Sequence, residues 1–359
     1  MKAAMISLGS VSSQWTAEAM KKYFTTVDII SLKQLEVQLG KGAGVYYQEK
    51  ELGQYDCIYL KGSFRYAHLL RSIATLLEKK IPYMPLAATA FTIVHHKLLT
   101  HLILQQHNIP MPKTYLSPSI AEAKQLLNTV HYPIVMKFPE GTQGKGVMFA
   151  DSKSSASSLL DALEALRQPF IIQEYIDTSG TDIRAFVVGE KVVASMRRKA
   201  QTGESRANIH AGGTGEGTQL KPETQKVALA VARALRAEVC AVDILETPLG
   251  PLVLEANISP GLQGIQKVTP INIADQIAKH FYSQTEKAVS QGKKTEAQKM
   301  MQEMKVDGEG GQDIISEMKF RGDKIILPEL INKICKFNDG KEYLMKVKKG
   351  KLIVEEMSL

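Results

Sequence analysis

The sequence predicts a mixed α/β and α+β protein with a small β-rich module at its C-terminal end. Three observations lead there. Residues 1–86 alternate short apolar runs with helical patterns, the rhythm of a small open parallel sheet. Residues 133–257 set apolar runs side by side around glycine-bearing turns, as paired strands do. After a polar, glycine-rich stretch at 289–316, an apolar pattern resumes and runs to the end.

Strands are expected at 3–8, 27–32, 57–60 and 82–85, with helices at 16–23 and 67–80. One long helix is expected over 89–107. Asn108-Ile109-Pro110-Met111-Pro112 ends it, because proline cannot continue a helix. A helix at 120–127, a strand at 133–138, a glycine-rich loop and a strand at 146–150 follow, then a helix at 155–166 and a strand at 170–176. Strands at 182–188 and 191–195 meet at the turn Gly189-Glu190. An alanine-rich helix covers 223–237, strands at 242–245 and 252–257 pair around a Pro/Gly turn, and a helix at 271–288 closes the sequence of elements. The expected divisions are 1–86, 87–288, a linker at 289–316 and a module at 317–359.

Composition narrows the function classes. The chain has 359 residues, 44% of them apolar and 23% charged, the profile of a globular protein with a real core. No apolar run approaches the roughly 20 residues that span a bilayer, so no membrane partner is expected. The short apolar N-terminus reads as a first strand and not as a signal peptide. Cys57, Cys240 and Cys335 are odd in number and far apart, which argues against disulfides or a zinc site and for the cytoplasm. A net charge of +8 suits anionic ligands such as nucleotides or acidic amino acids.

Three groups of residues carry chemistry. Lys137 leads into Phe138-Pro139-Glu140-Gly141-Thr142-Gln143-Gly144-Lys145-Gly146, where glycines let backbone N–H groups approach phosphate and lysine adds charge. An ordinary glycine-rich hairpin fits the same residues. Glu255 and Asn257, two apart on a strand, share a face, and Asp243 belongs to the neighbouring strand. Three hard oxygen ligands suit Mg²⁺, and the apolar residues around them count against a merely solvated face. Arg184, Arg197, Arg198 and Arg206, with Asn208 and His210 nearby, fit either a clamp on phosphate or carboxylate or a solvated basic surface.

In order, Gln173-Glu174-Tyr175-Ile176, Gly180-Thr181-Asp182-Ile183-Arg184, Arg197-Arg198, Ser205-Arg206-Ala207-Asn208-Ile209-His210-Ala211-Gly212-Gly213, Val242-Asp243-Ile244-Leu245 and Leu254-Glu255-Ala256-Asn257-Ile258-Ser259-Pro260-Gly261 closely resemble the ATP-grasp superfamily, and within it the RimK-type glutamate ligases. The resemblance covers residues 1–288. It implies an ATP-grasp fold behind an N-terminal pre-ATP-grasp domain, with ATP gripped between two lobes. Lys97 and Lys137 then match the nucleotide lysines, Glu174 and Tyr175 the hinge at the adenine, and Asp182, Arg206, Ala207 and Asn208 further nucleotide contacts. Asp243, Glu255 and Asn257 match the ligands of two Mg²⁺ ions, with Mn²⁺ as an alternative and Glu255 as the bridge. His96 stands where family members often carry aspartate. The implied reaction phosphorylates a carboxylate and lets an amine attack the acylphosphate. Arg198, with Arg197, is expected to stabilise the transferred phosphoryl group and the tetrahedral intermediate. Asn257-Ile258-Ser259-Pro260-Gly261 looks like the branch that adds L-glutamate, to a protein, peptide or cofactor acceptor.

Residues 318–328 resemble the start of AbrB/MazE-type swapped-hairpin domains, with a short helix at 329–336 and strands at 342–347 and 351–354. Such domains interleave two chains, so a homo-oligomer, dimer or tetramer, is expected. DNA is the less favoured partner of this module. The competing functions are an ATP-binding regulator that contacts DNA through 318–359 and a ligase for a different amino acid.

Overall fold

The computed structural model describes residues 1–141, 146–200, 214–303, 319–322, 324–328, 331, 335–338 and 340–356. They form two compact units, Met1–Glu296 and Ala297–Leu359.

The larger unit begins with a parallel sheet in the order Thr26–Ser31, Lys2–Ser7, Cys57–Lys61. Its central strand is covered on both faces, and Ala3, Ala4, Met5 and Ile6 are fully buried. Helix Ala67–Leu77 buries Ala67, Leu70, Ile73, Ala74 and Leu77, the three-and-four spacing of one helical face. Helix Val11–Met20 starts earlier than expected because Ser10 caps it, accepting from the Ser13 amide. The strand expected at 82–85 is reduced to a single parallel bridge, Tyr83 to Cys57. A three-stranded antiparallel meander, Leu35–Gln38, Gly44–Tyr47 and Lys50–Glu51, was not expected. Gln48 and Glu49 make its tight turn with positive φ of 51° and 65°, where the usual signal is Asn-Gly.

The long helix expected over 89–107 is two helices, Ala90–Ile93 and Lys97–Gln106. His96 takes an extended conformation between them and its Nδ1 accepts from the Leu99 amide, capping the second helix. A four-stranded antiparallel sheet follows, in the order Thr114–Tyr115, Ile171–Glu174, Ile134–Lys137, Val147–Ala150. Strand alternation sends Ile134, Met136, Ala150 and Ile172 into a core with helices Ile120–Leu126 and Lys153–Ala165. The alternate residues Val135, Lys137, Val147, Phe149 and Gln173 face a cavity.

A five-stranded antiparallel sheet completes the unit, in the order Thr214–Gly217, Lys191–Lys199, Thr181–Val188, Val239–Thr247, Gly250–Asn257. Helix Pro222–Ala234 packs on it through Ala228, Val231 and Ala232. The register shifts between Asp243 and Ile244, so that Asp243 opposes Glu255 while Ile244 opposes Val253. Leu254 is the extra residue of this bulge. Val253 thereby joins Ile244 in the core, and Glu255 shares the cavity face with Asp243. The final helix runs from Ile273 to Glu303, past the expected end at 288. It buries Ile273, Ile277, Phe281 and Thr285, four residues apart, and Phe281 meets Tyr59 edge-on at 4.9 Å. The parallel and five-stranded sheets share one hydrophobic core; the four-stranded sheet has its own.

In the smaller unit, Lys319–Arg321 pairs with Lys324–Ile326, and Tyr343–Lys348 pairs with Lys351–Glu356. These hairpins expose Phe320, Met345 and Val347. The helix expected over 329–336 lies largely outside the described residues. Among the described residues no helix is long and apolar enough to cross a membrane.

Gly189 closes the hairpin turn at φ +59°, and a Cβ there would lie 2.3 Å from Cε1 of His280, whose Nε2 bonds Glu238 Oε2 at 2.6 Å. Gly189→Ala is therefore expected to lower the unfolding free energy by about 1–3 kcal/mol, read as a lower urea midpoint with an unchanged slope.

Candidate active site

A cavity of about 630 Å³ is lined by residues of the parallel, four-stranded and five-stranded sheets of the larger unit. Its floor is the five-stranded sheet. Asp182 and Arg198 are cross-strand partners, as are Arg184 and Asp243. Arg198 donates to both Asp182 oxygens, through Nε and Nη2, at 2.6 Å each. Arg184 grips Asp243 in the same bidentate way, at 2.8 and 2.7 Å. Arg198 Nη2 also reaches Asp243 Oδ2 at 2.8 Å, so the four side chains form one row, Asp182–Arg198–Asp243–Arg184. Arg197 points to the other face, as strand alternation requires, and pairs with Glu246. It does not join Arg198 in the cavity.

The row explains its own ionisation. Burial alone would raise Asp243, but Arg184 and Arg198 outweigh it and hold the carboxyl well below the usual carboxylate range. Asp182 has a guanidinium that it must share with Asp243. Burial wins there, and Asp182 is pushed up to about 6. In both arginines Nη1 makes none of these bonds.

Glu255 stands opposite Asp243, open to the cavity, and forms no ion pair with a basic residue among the described residues. Protein packed around the cavity floor, and then Asp243, raise its carboxyl. Two carboxylates directly opposite each other repel, which favours a cation between them. Among the described residues, Asp243 Oδ1 accepts only one of the arginine bonds, and Asn257 Oδ1 accepts only the Ser259 amide, at 2.8 Å. Each therefore keeps an acceptor position, and with Glu255 they suit a hard divalent cation that completes its shell with water or phosphate.

Two lysines enter from above this floor. Lys137 ends its strand on the cavity face and donates to Gln173 Oε1 at 2.6 Å. Gln173 in turn donates to Thr114 Oγ1 at 2.8 Å, a fixing chain that the sequence did not signal. Burial pulls the Lys137 ammonium down to about 8, although Glu255 opposes this. Lys97 opens helix Lys97–Gln106; its amide donates to Pro139 O at 2.8 Å and its Nζ to Gly141 O at 3.1 Å. Burial lowers it too, against Glu255 and Glu140. Glu174 and Tyr175 line the cavity at the end of their strand, the Glu174 amide donating to Lys113 O and the Tyr175 ring meeting Phe149 edge-on at 5.8 Å. Arg206, Ala207 and Asn208, like Thr142 to Lys145 and His210, lie outside the described residues.

Comparison with known proteins agrees with this geometry. The RimK-like ATP-grasp domain family matches residues 94–281. A probable alpha-L-glutamate ligase of Cellvibrio japonicus (strain Ueda107) is 33% identical over 286 residues, covering 78% of this chain and 95% of that protein. One of Legionella pneumophila (strain Corby) is 44% identical over 181 residues, covering 50% of this chain and 60% of that protein. Among solved structures, the ATP-grasp ligase PsnB, complexed with a phosphomimetic variant of its minimal precursor, Mg and ADP, has the same fold. Its TM-score is 0.63 at 15% identity, over 79% of this chain and 98% of that one.

Asp182→Ala would leave Arg198 buried with half of its pairing gone. The variant is expected to lose about 3–5 kcal/mol of stability by chemical denaturation, whereas the exposed-side variant Arg197→Ala loses under about 1 kcal/mol.

Proposed function

Since the chain belongs to the RimK-like ATP-grasp family and is an ATP-dependent, ADP-forming carboxylate–amine ligase, we propose that the amino acid it adds is L-glutamate and that the acceptor is peptide-like. One observation carries the placement of the chemistry. Asp243 and Glu255, opposed on one sheet face, meet Lys97 and Lys137 across a single cavity. The choice of glutamate is supported by the Cellvibrio japonicus relative, whose name specifies it and of which this chain covers 95%.

In this reading Lys97 and Lys137 bind phosphate oxygens, backbone groups of Glu174 and Tyr175 read the adenine edge, and Asp182, Arg206, Ala207 and Asn208 complete the nucleotide contacts. Asp243, Glu255 and Asn257 hold Mg²⁺, which draws charge off the β- and γ-phosphates when bound. A second ion, and Mn²⁺ as a substitute, are the finer form of this proposal. An acceptor carboxylate oxygen attacks the γ-phosphorus as its bond to the ADP oxygen breaks. The glutamate amine then attacks the acylphosphate carbonyl carbon, phosphate departs with the C–O bond pair, and the amine loses a proton. Arg198, held by Asp182, stabilises the developing charge. The cytoplasm is the compartment this chemistry suits. Residues 317–359, read as an AbrB-like swapped-hairpin module, would make a dimer or tetramer; their exposed Phe320, Met345 and Val347 support it.

The test incubates the full chain with ATP, Mg²⁺, L-glutamate and a cell extract as acceptor source, following ADP and mass gain. Glutamate-dependent ADP release is expected, falling about 100-fold or more in Glu255→Ala. Release that needs a different amino acid would sink the glutamate assignment alone. No release with any amino acid would restore the DNA-contacting regulator. A pH series adds an independent check. Since burial has drawn Lys137 down to about 8, its charged form is lost as pH rises through that value. Nucleotide affinity is expected to weaken above about pH 8, by up to roughly tenfold per unit, with a shallower slope in Lys137→Met when measured by calorimetry.

A further inference from the structure

The parallel sheet delivers to the cavity a group that the reaction above leaves without a task. Lys61, the last residue of Cys57–Lys61, lines the cavity at only 6% exposure. Its Nζ donates to Pro260 O at 2.8 Å and forms no ion pair with a carboxylate among the described residues. An ammonium has three donors, so two remain without a partner among the described residues. A buried cation without a counter-charge is costly, and burial alone pulls this one down to about 8.

The position has a second mark. In the sheet order Thr26–Ser31, Lys2–Ser7, Cys57–Lys61, the first connection leaves the central strand for one edge and the chain then crosses to the opposite edge, so the winding direction reverses beside the central strand. Open α/β sheets bind ligands beyond the carboxyl ends of their strands at that reversal. Ser10 and Ser13, at the first turn of helix Val11–Met20, and Ser63 line the same cavity there. Three bonds tie this corner to the loop that leaves Asn257: Lys61 to Pro260 O, the Gly62 amide to Ser259 Oγ at 3.2 Å, and the Leu262 amide to Ser12 Oγ at 2.8 Å.

We propose that Lys61, with the N-terminal turn of helix Val11–Met20, holds a carboxylate of the amine-bearing amino acid. The carboxylate to be activated belongs at the γ-phosphate, beside Lys137 and the Asp243–Glu255 pair. A separate cation, supplied by a different sheet, serves a substrate whose carboxylate must not react, and the incoming amino acid is that substrate. The proposal rests on the reading that the amine donor is an amino acid.

The test uses the full chain and Lys61→Gln, which keeps a donor for Pro260 O and removes the charge. The amine donors are L-glutamate, its α-amide and glutamine. Wild type is expected to use one of the two amides about 30-fold less well in kcat/KM. Lys61→Gln is expected to lose a similar factor with glutamate, through KM for glutamate, while treating glutamate and that amide alike. KM for ATP stays put, and Lys61→Arg recovers part of the loss. A variant that keeps the wild-type preference, or whose KM for ATP rises in step with that for glutamate, overturns the proposal in favour of a structural tether. A loss that falls on the acceptor's KM instead assigns the cation to the acceptor and overturns it as well. Should wild type ligate another amino acid, the glutamate reading fails, and the same comparison runs with that amino acid and its amide. Equal use of amines that lack a carboxylate would overturn the anion site itself.

Discussion

Four charged side chains stand in a row on one face of the five-stranded sheet, and their signs alternate: Asp182, Arg198, Asp243, Arg184. Charges this deeply buried persist only when each meets its opposite in good geometry. The row fixes the register of three neighbouring strands by charge as well as by apolar pattern, since a slip of one residue would turn every member toward the core. It also cancels itself. Glu255 is then the carboxylate left over, opposite Asp243 and within the electrostatic reach of Lys97 and Lys137. A floor that is neutral except at one point, under a roof of two lysines, is a place where added anions and a divalent cation balance each other.

Much of this was legible in the sequence because strands have a period of two. Glu255 and Asn257 had to share a face, and Asp243 belonged to the strand next to theirs; the register sets it opposite Glu255. Lys137 had to end its strand on one side, and that side is the cavity. The same rule, applied to Arg197 and Arg198, separates them, because adjacent residues of a strand point opposite ways. The second arginine of the row is Arg184, two strand positions from Asp182 and so on its face.

What was not legible has physical reasons. The bulge at Leu254 has no glycine to announce it, and only the burial of Val253 beside Ile244 reveals the change of phase. The break before Lys97 has neither glycine nor proline. It is made by an imidazole acting as a helix cap. The meander at 35–51 turns through Gln48 and Glu49, residues that seldom adopt positive φ. Lys61 sits in a sheet with no motif at all. Its significance lies in burial and missing counter-charge, which only three dimensions display.

The division of the larger unit into two hydrophobic cores has a mechanical side. The parallel and five-stranded sheets are welded through shared apolar packing, whereas the four-stranded sheet and its two helices keep their own interior. The cavity lies where these bodies meet, floored by one and roofed by Lys137 and Gln173 of the other. A rocking of the roof would therefore leave both hydrophobic cores intact. Such a body can ride as a rigid jaw, wide enough to admit two substrates in turn and tight enough to keep an easily hydrolysed intermediate away from solvent between them.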